Sequence, residues 1–101
     1  MKKICLILTM IILLGATAVQ AHTLYFTLMD NEDGTVDLSG MYSTGEAPVN
    51  TPVRLINTAD NSVIWQGKTD ENGECTFNRP SVPYEVELDA GPGHVAREDG
   101  I

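Results

Sequence analysis

Beyond residue 21 the chain repeats one beat, in which apolar and polar residues alternate over short stretches separated by polar or Gly/Pro clusters. A period of two marks strands with one buried and one wet face, and no stretch sustains a helical period. The pattern predicts strands over residues 22–29, 35–42, 52–57, 62–66, 74–78 and 84–89, with a short seventh over 94–97. Turn clusters at 30–34, 43–48, 58–61, 69–73, 79–83 and 90–93 divide them. The cleanest alternation is Tyr84-Glu85-Val86-Glu87-Leu88-Asp89, apolar on one face and acidic on the other. Val53 and Leu55, Val63 and Trp65, and Cys75 and Phe77 keep the same beat, which assigns Trp65 to the core and makes Cys75 a packed thiol. Strand 52–57 reads as an exposed edge open to a partner, with Pro52 and Arg54 as edge protection. The fold class predicted is all-β: a small antiparallel Greek-key β-sandwich of six to seven strands.

Before residue 22 the pattern is different. Lys2 and Lys3 precede an apolar run over 4–14, followed by the small residues Ala16, Ala18 and Ala21. This is the layout of a secretory signal peptide, and the run falls short of the roughly 20 residues that cross a bilayer as a helix. The expected organisation is a signal peptide over 1–21 and a β-sandwich domain over 22–101, exported and without a stable membrane span of its own. Two cleavage points fit, after Ala18 and after Ala21. The second places the break directly before the first alternating segment and leaves His22 as the amino terminus.

Charge narrows the partners. Two of the six Lys and Arg and none of the 14 Asp and Glu lie before residue 22, so the remainder carries four basic and 14 acidic side chains, a formal charge of −10. Such a field makes nucleic acid and anionic membrane surfaces poor partners, so no nucleic-acid partner is expected, and favours cations and basic surfaces. Removal of Cys5 leaves Cys75 alone, so no disulfide forms within the domain and a core or a ligand must stabilise it.

Phosphate-loop, Cys-x-x-Cys, His-Glu-x-x-His and nucleophile-elbow patterns are all missing. Residues 30–34 and 70–73 hint at calcium loops but lack the required spacing and distal Glu, and read as hairpin turns. Glu85 and Glu87 share a strand face, but a domain of this size rarely forms the sugar-sized cleft that paired-carboxylate chemistry needs. The remaining candidates are the two histidines. If successive strands alternate in direction, His22 before the first strand and His94 after the sixth share one pole, provided that residues 43–51 reverse the chain. As an amino terminus, His22 offers its α-amine and ring Nδ1 as a chelate, and His94 adds a third nitrogen. Such donors suit nickel, zinc, copper or iron. The bland alternative is a pair of unrelated rim histidines.

The stretches Ala21-His22, Gly67-Lys68-Thr69-Asp70-Glu71-Asn72-Gly73-Glu74 and Asp89-Ala90-Gly91-Pro92-Gly93-His94 together resemble a family of exported accessory proteins of nickel and cobalt uptake systems. Those proteins accompany energy-coupling-factor type transporters. The resemblance runs from His22 to about Arg97. The middle stretch is similar to carboxypeptidase regulatory-like and transthyretin-like sandwiches, and bears on fold more than on function. The family implies a periplasmic metal-handling role at the outer face of the cytoplasmic membrane, with His22 and His94 on its motif positions. It also implies a nickel or cobalt ion as ligand and the membrane subunits of a transporter as partners. The chain departs from that pattern after His94, where only seven residues follow and the last strand is expected to be short.

The leading expectation is thus a nickel- or cobalt-binding accessory protein that is not an enzyme, with copper or zinc as other possible ions. Glu98 and Asp99 are candidate additional ligands. Two alternatives stand beside it: a metal-independent carboxypeptidase regulatory-like interaction module, and a copper-dependent oxidative enzyme built on the amino-terminal histidine.

Overall fold

Alternation becomes seven strands: β1 (Leu24–Asp30), β2 (Thr35–Tyr42), β3 (Pro52–Asn57), β4 (Val63–Lys68), β5 (Glu74–Asn78), β6 (Tyr84–Asp89) and β7 (Val95–Asp99). The computed structural model describes residues 23–101, and the leader, its cleavage point and His22 lie outside the described residues. Two antiparallel sheets form, one of three strands in the order β1-β2-β5 and one of four in the order β4-β3-β6-β7. They close on one core because each strand turns its apolar positions the same way. Val36 and Leu38 face Val53, Leu55, Val86 and Leu88, all essentially solvent-free, and Phe26, Phe77 and Tyr84 extend the cluster. Burying each such side chain contributes about 1.5–3 kcal/mol.

The sheets approach at both edges. Trp65 of β4 meets Phe77 of β5 with ring centroids 5.9 Å apart, and β1 lies beside β7. Strands β3, β4 and β5 therefore follow one another around the sandwich, and β6 returns to pair with β3, which is the Greek-key connection.

Several boundaries move. The first strand begins at Leu24, the fourth runs on to Lys68, and the seventh reaches Asp99 with five positions paired to β6. The edge reading of residues 52–57 is wrong: β3 is central, between β4 and β6. Pro52 is tolerated because it is the first residue of the strand, and Arg54 pairs with Glu87 at 3.2 Å and Asp89 at 3.5 Å across the outer face. Trp65 is only half-buried. Its ring lies along the strand over Gly67, where a Cβ would collide with it.

The connections divide between two poles. One gathers the chain entering β1 and the loops 43–51, 69–73 and 90–94; the other gathers 31–34, 58–62, 79–83 and the last residues. Loop 43–51 does reverse the chain. It returns to its own pole because Thr69 binds it there: the buried Thr69 hydroxyl donates to the Pro48 carbonyl at 2.5 Å and accepts the Thr51 N–H at 2.9 Å. Gly73 makes the neighbouring turn possible, with φ +75° and a Cβ position only 3.0 Å from the Gly40 carbonyl oxygen.

Candidate functional site

Residues 90–94 form a tight turn between β6 and β7. The Ala90 N–H donates to the His94 carbonyl at 2.8 Å, the His94 N–H donates to the Gly91 carbonyl at 2.9 Å, and the Gly91 N–H donates to Asp89 Oδ1 at 2.9 Å. Gly91 and Gly93 take the positive φ values of 112° and 80° that the turn requires. The effect is to fold His94 back against the end of β2. Tyr42 meets it edge to face, with ring centroids 6.2 Å apart and planes at 84°.

This packing leaves an unusual atom. His94 Nδ1 is sealed from solvent and has no hydrogen-bond partner, the only such side-chain nitrogen or oxygen among the described residues. An unpaired buried polar atom costs about 1–3 kcal/mol, and in the tautomer that leaves Nδ1 unprotonated its lone pair is open to a proton donor or an electrophile.

The start of β1 belongs to the same pole. Leu24 is in register with Tyr42, and just beyond them the Thr23 N–H donates to Ser43 Oγ at 2.9 Å while the Ser43 N–H donates to the Thr23 carbonyl at 2.7 Å. The described chain thus begins one residue after His22, on the neighbour of the residue that packs on His94.

Glu98 and Asp99 are not brought to this site. They are exposed on β7, paired with Val86 and Glu85, and Asp99 ends the strand at the opposite pole. Four and five residues of extended chain place them about 13–16 Å along the strand from His94. Among the described residues no three His, Cys, Asp or Glu side chains are grouped to hold a metal ion. His94 is the one sequence-predicted ligand that the described chain places at this pole.

The acidic turns are accounted for by the backbone. Asp30 accepts the Glu32 N–H, Asp33 the Thr35 N–H, and Asp70 the N–H groups of both Asn72 and Glu74. Residues 31–34 are a hairpin turn, whereas 69–73 carry the chain from one sheet to the other. Cys75 is a packed thiol on the inner face, pushed above its ordinary pKa by burial and by the nearby Asp70 carboxylate. That is the opposite of an activated nucleophile.

The features that escaped sequence reading include two side-chain or ladder details. One is the orphaned Nδ1, which depends on side-chain packing. The other is a β-bulge at Ile64 in the β3–β4 ladder, whose signal was the unbroken run Val63-Ile64-Trp65. Among the described residues no helix is long and apolar enough to cross a membrane. Comparison with family models, curated proteins and solved structures finds no match to this chain.

Proposed function

We propose that the protein is an exported nickel- or cobalt-binding accessory module of a membrane metal-uptake system, and that it performs no covalent chemistry. The observation that carries this reading is the His94 Nδ1 atom, buried without a partner at the pole where the chain enters β1. His22 is joined directly to Thr23, so in sequence its imidazole, and its α-amine once it is the amino terminus, directly precede the described chain. Together with His94 they make a nitrogen-only set, which selects late first-row transition metals over calcium and magnesium. The acidic surface raises the local cation concentration, and the resemblance of the Ala-Gly-Pro-Gly-His stretch points to nickel or cobalt within that group.

The reading is tested by Ni(II) titration of the exported protein, with its amino terminus fixed by mass. Saturation near one equivalent is expected for protein beginning at His22. His22→Ala and His94→Ala should each weaken binding by about tenfold or more. Unchanged affinity in both variants overturns the proposal.

A further inference from the structure

We propose that Asp89 is a positioning residue for His94, acting through the Gly91 backbone to fix the turn that presses the imidazole against Tyr42. Its bearing on metal rests on the reading of His94 as a ligand. On β6 the carboxylates of Glu85, Glu87 and Asp89 alternate with the core positions Tyr84, Val86 and Leu88, so they share the outer face. Glu87 is in register with Arg54 on β3 and with Arg97 on β7, and the three make one row across the sheet. The Glu87 side chain, 7% exposed, lies with Oε1 3.2 Å from Arg54 Nη1, and its Oε2 accepts the Arg97 Nε–H at 2.8 Å. A carboxylate enclosed by two guanidinium groups holds both in place. The other arm of Arg54 reaches Asp89: Nη2 lies 3.5 Å from Oδ2, which leaves Oδ1 to accept the Gly91 N–H at 2.9 Å. The Gly91 carbonyl in turn accepts the His94 N–H at 2.9 Å. A continuous line of ion pairs and hydrogen bonds thus runs from the middle of the sheet to the backbone of His94.

The turn needs such an anchor. Gly91 and Gly93 both take positive φ, and glycine visits many other conformations as readily, so the segment does not select this one by itself. A hydrogen bond to a carboxylate that is already held supplies the selection. The conformation it selects is also one that the imidazole does not favour on its own account. His94 Nδ1 is buried there without a partner, whereas a ring released into water would find one. A side chain kept in an unsatisfied position is kept there by its surroundings, and the Asp89–Gly91 bond is the part of those surroundings that leads back to the rigid sheet.

The test reads His94 first without metal and then with Ni(II), in the untagged exported protein. The His94 ring resonances, assigned by their loss in His94→Ala, should show a nuclear Overhauser contact with the Tyr42 ring. Asp89→Ala should abolish that contact and move the resonances to those of a histidine in a short peptide. Asp89→Asn keeps an oxygen acceptor for Gly91 and should retain the contact. Gly91→Ala adds a Cβ that meets nothing within 4 Å beyond its chain neighbours, so it disturbs the backbone turn alone and should reproduce Asp89→Ala. Ni(II) affinity should fall about tenfold in Asp89→Ala and in Gly91→Ala, and by less than about threefold in Asp89→Asn. A His94–Tyr42 contact that survives in Asp89→Ala overturns the proposal even where the urea midpoint falls, since Asp89 would then act on stability alone. Should that variant fail to fold, Gly91→Ala decides in the same way. Loss of the contact in Asp89→Asn as complete as in Asp89→Ala overturns it too, as does a displaced His94 with unaltered Ni(II) affinity. If the unsubstituted protein binds no Ni(II), the metal reading falls by itself, and the metal-free contact still decides whether Asp89 positions His94.

Discussion

Thr69 shows how a single side chain holds a pole together. The residue is 4% exposed, and its hydroxyl satisfies both the Pro48 carbonyl and the Thr51 N–H. Thr69→Val keeps the shape and removes both bonds, leaving a buried donor and a buried acceptor unpaired, so a loss of about 1–3 kcal/mol is expected. Urea denaturation followed by Trp65 emission measures it, and an unchanged midpoint would show that water replaces the hydroxyl. The turn around Thr69 was legible in the sequence because Asp70, Asn72 and Gly73 carry their turn chemistry locally. The buried role of Thr69 was not, because its partners lie 21 and 18 residues away. His94 divides in the same way: its place after a glycine-rich turn could be read directly, and its unpaired nitrogen depends on contact with Tyr42.

Strands were the most legible part of the molecule, because a half-buried strand must alternate and β2, β3, β5 and β6 coincide with the predicted ranges. Their neighbours were not legible. Alternation reports that a face is buried but not which strand lies beside it, which is how central β3 passed for an edge. The β2–β5 pairing gives a titratable example of what holds neighbours together. Asp37 on β2 accepts the Thr76 hydroxyl of β5 at 2.6 Å and the Asn31 side-chain N–H at 3.0 Å. These bonds, the Thr76 bond foremost, hold its carboxyl below the ordinary aspartate value of 3.8. Asp33 and Asp60 are lowered in the same way by Thr35 and Ser62. A carboxyl whose folded value is depressed binds protons more readily when unfolded. Its contribution is therefore complete above the unfolded value and disappears as pH falls toward the folded one. The urea midpoint should hold from neutrality to about pH 5 and decline below about pH 4. Asp37→Asn should be less stable at neutrality and show a shallower acid decline. An equally steep decline in the variant would remove Asp37 from the account.

Taken whole, the sandwich separates two sets of features along its strands. His94 and the start of β1 occupy one pole, and the apolar residues Ile64, Val82 and Ile101 lie at the other, separated by about 20 Å of six-residue strand. The parity of an antiparallel fold made the first pole predictable, since an even number of reversals returns the chain to the end where it began. The second pole could not be read in advance, because these apolar residues come from three separated segments. Between the poles lies a close-packed core, so the two ends are expected to act independently. Sites farther apart than about 10 Å with no shared partners usually add within about 0.5 kcal/mol. A double-mutant cycle tests this with His94→Ala and Ile64→Ser, reading Ni(II) affinity and the urea midpoint in the same four proteins. Ile64→Ser should leave Ni(II) affinity within about twofold, and the two losses of stability should add. A coupling of about tenfold or more in Ni(II) affinity would mean that the core transmits a change from pole to pole.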